Sequence, residues 1–438
     1  MKLKRLTLAI VLAGMGLTAT AQQTLRLSLA EAQQYAVEHN QTMKNADLEV
    51  KKAEMERWKT LSSMLPSVKA NFDYQNMLGY EMEMHMGGSG GPAIKIPLNP
   101  NGTFGINASV ALTGAQIVGT MLQNLAIEMT DLSRQQTVQQ TRSQVKNIYV
   151  SILVMEETVG LLDSSLANLE RLAATSQASV DVGAAEQVDA DKLQVQVATM
   201  KSSSNSTKRS LQMLRNSLLL QLGADVNSNV ELTTPVDDIL NVENAASILN
   251  EPFHIENNYN YQLLAKNEEL ATRQVNMAWM DFLPTIALFY QYSGKTYFGE
   301  DEGMNMTPPN MIGASISMPL LTTGTRYASI KSAKIAQQET ANSRRQAEDG
   351  LRVQYNQLRY DLASALETYD IQRRNLDVTQ RVFANVTEKY NYGRASSLEV
   401  TTASTDIISA QGNYIQAVMS VISAQVALED LLNSNSQN

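Results

Sequence analysis

The chain of 438 residues contains no cysteine, only three histidines and only ten prolines. Without cysteine it can form no disulfide, no thiolate metal site and no thiol nucleophile, and it has no cysteine to lipidate. The histidines, His39, His85 and His254, lie far apart and show no metal-ligand spacing. No phosphate-binding loop, dinucleotide fingerprint or nucleophile motif occurs. The sequence therefore predicts no enzyme, no catalytic residue and no cofactor.

Positive charge and long apolar runs are also scarce. The formal net charge is −9, and no basic cluster is present, which argues against nucleic-acid binding. The one apolar run near the start, Leu6–Leu17, follows a basic start and precedes small residues. This pattern predicts a secretory signal over residues 1–21, too short to span a membrane. Loss of Lys2, Lys4 and Arg5 with the signal takes the charge from −9 to −12.

Proline is missing from two long stretches in which apolar residues recur at intervals of seven. In Thr325–Tyr392 the recurring residues are Tyr355, Leu362, Tyr369, Leu376, Phe383 and Tyr390. In Gln116–Val182 they are Val138, Val145, Ile152, Val159, Leu166 and Ala173. Spacing by sevens predicts helices that wind around partner helices. At 1.5 Å per residue, each would be roughly 100 Å long.

The two long stretches belong to a pattern that occurs twice. Each is predicted to end at a glycine, Gly183 or Gly393, which favours the left-handed conformation just past a helix end. A shorter helix then follows, over Glu186–Leu222 or Ser396–Asn433. Self-similarity on this scale predicts tandem repeats of helix, β-hairpin, long helix and return helix. The predicted divisions are a first repeat over 22–222, an inter-repeat equatorial segment over 223–257, a second repeat over 258–433 and a disordered tail over 434–438.

Before each long helix, the period of the apolar residues changes from that of a helix to two. The first repeat is predicted to form a helix over Ser28–Ser62 and strands at about 67–75 and 103–112; the second, a helix over Asn258–Phe282 and strands at about 285–293 and 311–320. Strands that are apolar on one face and aromatic near their ends are typical of outer-membrane barrels. The smallest such barrels have about eight strands, and an open edge cannot sit in lipid. We therefore expect the chain to oligomerise.

One short motif occurs in both repeats, and several others occur in the second repeat. Leu-Pro precedes each predicted hairpin, and the other motifs lie around the second long helix: Leu65-Pro66, Leu283-Pro284, Met318-Pro-Leu-Leu-Thr-Thr-Gly324, Tyr390-Asn-Tyr-Gly-Arg394 and Leu398-Glu-Val400. Over nearly its whole mature length, the chain resembles the TolC family of bacterial outer-membrane efflux proteins. The first repeat departs from the family pattern, since Ala111-Leu-Thr-Gly114 lacks the proline of the second.

The resemblance implies a fold and a function. The expected fold is mainly α with a transmembrane β-barrel portion. Three copies would form a homotrimer with a twelve-stranded barrel in outer-membrane lipid, on an α-helical periplasmic tube. The expected function is a passive exit duct for small molecules in a tripartite efflux or type I secretion system. Its partners would be a periplasmic adaptor and an inner-membrane pump; the transported substrate is left open.

The resemblance also implies that the turns at Gly183 and Gly393 lie at a tip that must stay shut between transport events. Glu399 matches an acidic residue that narrows the pore in the family. Thr402 takes the place of the family's next acidic residue, which predicts a weaker constriction. Asp near a helix start also stabilises the helix dipole without any gating role.

Two further residues match, and a third lies next to, the positions of a family link that ties neighbouring helices at this tip. Tyr390 matches the tyrosine of the link and Asp189 its aspartate. Arg394 lies one position from the expected arginine. The resemblance thus predicts a periplasmic gate composed of Glu399, Asp189, Tyr390 and Arg394.

Two alternatives were weighed against the duct. The loop with Met82, Met84 and Met86 could serve a copper or silver efflux duct, because thioethers suit Cu(I). A mobile extracellular loop in a chain with 21 methionines is the favoured interpretation, so no metal site is predicted. A structural coiled-coil adaptor or surface stalk would explain the helices, but the alternating strand patterns argue against it.

Overall fold

A computed structural model describes residues 24–85, 93–235, 242–298, 308–321 and 323–433. The predicted signal over 1–21, Met86 and the tail over 434–438 lie outside the described residues. The chain divides into two compact units. Unit 1 contains Met1–Asp47, Ser133–Tyr261 and Glu348–Asn438; unit 2 contains Leu48–Leu132 and Gln262–Ala347. Each unit takes residues from both predicted repeats.

The helices are α1 (Leu29–His39), α2 (Gln41–Ser62), α3 (Gly114–Asp181), α4 (Gln187–Leu222), α5 (Val242–Ile248), α6 (Tyr259–Met280), α7 (Thr325–Asn391) and α8 (Ser397–Leu432). The strands are β1 (Thr24–Leu27), β2 (Ser67–Gln75), β3 (Glu81–His85), β4 (Ala93–Pro97), β5 (Asn101–Leu112), β6 (Asn229–Leu232), β7 (Thr285–Tyr297) and β8 (Asn310–Ser317). A short 3-10 helix covers Ile255–Asn257. The fold is mainly α, as expected.

The first predicted helix, over Ser28–Ser62, is in fact two helices. Its start follows the sequence: the Ser28 side chain accepts from the backbone of Glu31, whose carboxylate accepts from Ser28 in return. The break falls at Asn40, which is buried. Its amide donates to the carbonyl of Gln221 over 2.6 Å and accepts from the backbone of Thr42 over 2.6 Å. Asn40 therefore starts a new helix while fixing the chain to the end of α4.

The four strands predicted from alternation form one antiparallel sheet in the order β2, β5, β7, β8. Strand β7 is longer than the predicted 285–293, and β8 ends at Ser317, before the predicted residue 320. The register aligns Val68 with Ala108, Tyr290 and Ile312 across all four strands. Even-numbered positions therefore share one side, which we call the apolar sheet face, and odd-numbered positions share the polar side.

Two other strand pairs have no counterpart in the sequence analysis. Strands β3 and β4 form an antiparallel hairpin in the stretch predicted to be a loop. Strands β1 and β6 pair in parallel. The buried Tyr149 hydroxyl joins the ends of β1 and β6: it donates to Leu27 over 2.9 Å and accepts from the backbones of Thr233 and Thr234 over 3.1 Å.

The core of unit 1 lies along the predicted seams of seven. Leu362 is fully buried against Val150, Val418 and other aliphatic residues of α3 and α8. Phe383 is buried in a second cluster with Leu169 and Val400. One described helix, α8, is long and apolar enough to cross a membrane, but 56% of its most apolar window is buried inside the protein. Burial of this kind is typical of a core helix.

Candidate functional site at the helix turns

The turns after the two long helices have the same backbone geometry. Gly183 has φ 73° and Gly393 has φ 67°, both left-handed. Behind each glycine, the next backbone N–H reaches back to close the helix: Ala184 donates to Ser179 and Arg394 to Lys389, each over 2.8 Å. These are Schellman caps, which favour glycine at this position.

Glu399 lies one turn past Gly393, at the start of α8, and caps its own helix. Its carboxylate accepts from the backbone N–H of Ser396 over 2.7 Å and from the Ser396 hydroxyl over 2.9 Å. The Ser396 hydroxyl accepts from the Glu399 backbone in return. The two Ser396 bonds, the backbone one first, lower the pKa of Glu399. The side chain is exposed, so a fixed negative charge stands at the helix start.

Asp189 takes the corresponding position in α4, three residues past the helix cap Glu186, but has different partners. The Glu186 side chain makes no capping bond. Asp189 instead accepts from the hydroxyl of Ser397, the first residue of α8. Lys192 approaches the same carboxylate oxygen to 3.5 Å. Ser397 is buried, so this bond between the starts of α4 and α8 is partly shielded from solvent.

The predicted link from Asp189 to Tyr390 or Arg394 is not among the contacts within the described part of the chain. The Tyr390 hydroxyl bonds to the hydroxyl of buried Ser176 over 3.0 Å, which ties α7 to α3. Arg394 is exposed. Tyr390 and Asp189 thus both join neighbouring helices near the turns, but through two serines that the sequence analysis did not single out. The only sign of these serines in the sequence is that each is a small polar residue at a position where two helices touch.

A second polar contact continues the first along the helices. Gln196 lies seven residues after Asp189, and Ser404 seven after Ser397. The Gln196 amide donates to the Ser404 hydroxyl over 3.0 Å, with both residues buried. Residues seven apart on paired helices face the same neighbour. The contact between α4 and α8 is therefore held by polar pairs at successive heptads, inside an otherwise apolar cluster.

Far from the turns, near the end of α8, lies a buried charged cluster that the sequence analysis did not predict. Lys146 contacts Glu429 over 2.7 Å, with both side chains largely buried. The neighbouring Asp430 accepts from the hydroxyl of Ser143, and its backbone carbonyl accepts from Gln139 over 2.7 Å. Burial is the main cause that raises the pKa of Asp430 to about 6. Asp430 therefore keeps its proton to a higher pH than an exposed aspartate does.

The methionine hairpin places its two described methionines on one side and His85 on the other. In β3, Met82 pairs with Ile96 and Met84 with Ile94. His85 is at an odd position, so it lies on the opposite side from both methionines. Met86 lies outside the described residues. In the described part of the hairpin, two exposed thioethers and two isoleucines share a side, an arrangement that does not favour the copper alternative.

The sheet of unit 2 supplies a second functional surface. Its apolar face exposes large side chains from every strand, among them Val68, Phe72, Leu288, Tyr290 and Ile312. A soluble protein rarely exposes so continuous an apolar surface. The polar side carries residues such as Lys69, Asn107, Gln291 and Ser315. This division is that of a membrane-facing sheet with a wet interior side.

Comparison with known proteins agrees with this geometry. Residues 255–434 match the family model described as outer membrane efflux protein. A search of curated proteins finds no relative by sequence. Among solved structures, the chain is similar to CusC at TM-score 0.71 and 16% identity, over 92% of each chain.

Two further solved structures are outer-membrane proteins of named bacteria. VceC from Vibrio cholerae matches at TM-score 0.68 and 14% identity, over 92% of this chain and 95% of that one. The CmeC outer membrane channel from Campylobacter jejuni matches at TM-score 0.71 and 13% identity, over 92% and 85%. Residues 255–434 thus match the outer membrane efflux protein family, and the chain shares the fold of these outer-membrane proteins, which confirms the predicted resemblance.

Proposed function

We propose that the chain assembles as a homotrimer whose sheets close into a twelve-stranded barrel. The trimer is the passive exit duct of a tripartite efflux or type I secretion system. It carries small molecules across the outer membrane for an inner-membrane pump and a periplasmic adaptor. The observation that carries this proposal is the four-stranded sheet, which has one apolar side and two edges that pair with no other described strand.

The edges of the sheet support closure by identical copies. Each neighbouring pair in the order β2, β5, β7, β8 is antiparallel, so β2 and β8 run in opposite directions. Strand β8 of one copy can therefore add to β2 of the next and continue the antiparallel pattern. Backbone groups left open along β2 and β8 could not remain unpaired in lipid. Three copies supply twelve strands, within the range of transmembrane barrels.

The turns support a gate at the periplasmic end. Threefold symmetry would bring three Glu399 carboxylates towards one axis, where like charges repel each other. Such a ring attracts cations, but it cannot hold the helices shut. Closure would then rest on bonds between helices, for which Asp189–Ser397 and Tyr390–Ser176 are the observed candidates.

The variant Glu399→Gln keeps a side-chain oxygen that can accept from Ser396 but removes the negative charge. We expect it to weaken the block of the channel by divalent cations. An unchanged block would place Glu399 away from the pore.

A coiled-coil adaptor or surface stalk is the rival function, and it has no use for the sheet. An adaptor or stalk would be released from membranes without detergent, whereas a barrel would not. We expect the mature protein to fractionate with the outer membrane and to form discrete channels in planar bilayers after purification in detergent. Recovery in the soluble periplasmic fraction, or purified protein that never conducts, would contradict the duct.

A further inference from the structure

A groove-like cavity in unit 1 has unusual chemistry. It has a volume of about 380 Å³ and lies among α3, α7 and α8. Volumes of about 300–1,000 Å³ are typical of small-molecule sites. Phe383, Ile407 and Leu161 give it an apolar wall. The Asp189–Ser397 and Tyr390–Ser176 bonds described above are not part of its lining.

Two polar side chains that line this cavity have buried atoms with no hydrogen-bond partner among the described residues. Gln411 is 3% exposed, and neither its amide nitrogen nor its amide oxygen makes a hydrogen bond within the described residues. The buried hydroxyl of Thr387, which also lines the cavity, has none either. Buried polar groups in native proteins are nearly always satisfied, by protein, water or ligand. A cavity whose lining residues carry three unsatisfied polar atoms is therefore suited to a molecule that can bond to them.

The position of Gln411 on α8 shows that its missing partner is an exception among equivalent residues. It follows Ser397 and Ser404 at intervals of seven, on the same side of the helix. Ser397 has Asp189 as its partner, and Ser404 has Gln196. The third position carries a larger side chain, an amide that can both donate and accept. Of the three residues, only Gln411 has no hydrogen-bond partner within the described chain. A leucine at position 411 would avoid the cost of a buried amide.

The charge of the lining selects among ligands. The described residues that line the cavity include one carboxylate, Glu388, and no lysine or arginine. A carboxylate in the lining favours a cation through its charge, and the aromatic ring of Phe383 favours one through its face. The amide of Gln411 requires a group that both donates and accepts, such as a hydroxyl. We infer that this cavity is a binding site for a small organic cation with an aromatic or aliphatic body and a hydroxyl group.

This site goes beyond the proposed function, since binding there does not require transport. Its occupant would contact α3, α7 and α8 together and so stabilise their packing. Binding can be measured on the detergent-purified mature protein, whether or not that protein conducts. A negative binding result would therefore not contradict the proposed duct. A protein that does not conduct could still be tested for binding at this site.

Because the chain has no cysteine, a single introduced thiol can report on the cavity. Asn168→Cys places that thiol at the exposed rim, and tyramine serves as the probe cation. We expect tyramine to slow maleimide labelling of Asn168→Cys several-fold, and its anionic analogue 4-hydroxyphenylacetate to leave the rate unchanged. Asn205→Cys, an exposed position on α4 outside the lining, is the matched control and should be labelled at one rate throughout.

Two second-site variants make the assignment specific. Gln411→Leu in the Asn168→Cys background should abolish protection by tyramine while the protein melts at the same temperature or higher, since a buried unsatisfied amide is gone. Glu388→Gln should weaken protection without loss of folding, because Glu388 is exposed. The inference is overturned if tyramine gives no protection of Asn168→Cys, if the anion protects equally, or if protection survives Gln411→Leu.

Discussion

At the scale of single residues, the acidic position one turn past each glycine is used in two ways. In α8, Glu399 caps its own helix through Ser396. In α4, the helix cap is Glu186, whose side chain makes no capping bond, and Asp189 accepts from Ser397 on the other helix instead. A change from serine to glutamate at the cap thus turns a local helix bond into a contact between helices.

If the Asp189–Ser397 bond keeps the turns closed, removing either partner should have the same effect. We expect Ser397→Ala and Asp189→Ala each to raise resting conductance in planar bilayers, and the double variant to raise it no further, because both lose one bond. Ser396→Ala, which removes the adjacent capping hydroxyl, is the control. If Arg394→Ala raises the resting conductance and Ser397→Ala does not, the result would instead favour the link that the family resemblance predicts.

The raised pKa of Asp430 gives a second prediction at this scale. A carboxyl that titrates near pH 6 when folded and near 3.8 when unfolded costs stability as the pH rises between these values. Asp430→Asn should therefore stabilise the protein by about 1–3 kcal/mol above pH 6 and by nothing below pH 4. Thermal melting across this pH range measures it. Exposed Asp370→Asn is the control; an equal gain at every pH would exclude titration of Asp430 as the cause.

At the scale of elements, the long helices and the four main strands could be predicted because their signals are local and repeated. Apolar residues spaced by seven indicate the long helices, and apolar residues spaced by two indicate the strands. A glycine at the end of each long helix then places that end to within a few residues. The break at Asn40 could not be predicted in this way, since its cause is the carbonyl of Gln221, far along the chain. The parallel pair of β1 and β6 likewise depends on residues about 205 positions apart.

The residues of the proposed gate could be predicted only by their positions. The resemblance indicated Asp189 and Tyr390, and both join neighbouring helices. It did not indicate their partners, because a buried serine such as Ser176 or Ser397 differs from an ordinary helix serine only in what faces it. Heptad spacing defines which side of a helix is covered, but not which of two neighbours supplies the hydrogen bond.

Two helix-end glycines with the same backbone angle give a matched test of the element boundaries. Gly183 and Gly223 both have left-handed φ, so alanine at either costs about 1–2 kcal/mol in backbone strain. At Gly183 an added Cβ would meet nothing, whereas at Gly223 it would lie 2.4 Å from the carbonyl oxygen of His39. Gly223→Ala should therefore lower the melting temperature clearly more than Gly183→Ala. Equal losses would show that α1 does not pack against the end of α4 as described.

At the scale of the whole molecule, the proposed function makes the sheet of each chain one part of a barrel that the chain cannot complete alone. In that barrel, lipid would cover the apolar sheet face, and the β2 and β8 edges would pair with strands of other copies. The same chain carries helices of 68 and 67 residues, whose packing in unit 1 uses both repeats. A duct made from such chains depends on closure of the ring of sheets, and closure is the central claim of the proposed function.

Cross-linking of the two sheet edges tests that claim most directly, because the chain has no cysteine of its own. Lys69→Cys in β2 and Ser315→Cys in β8 both lie on the polar side of the sheet; Met311→Cys and Ser317→Cys replace Ser315→Cys to sample the register between copies. Oxidised in outer membranes, the best pair should give covalent dimers and trimers and no larger species, since three copies close the ring. A ladder that continues beyond three, or efficient links only within single chains, would contradict the trimeric barrel.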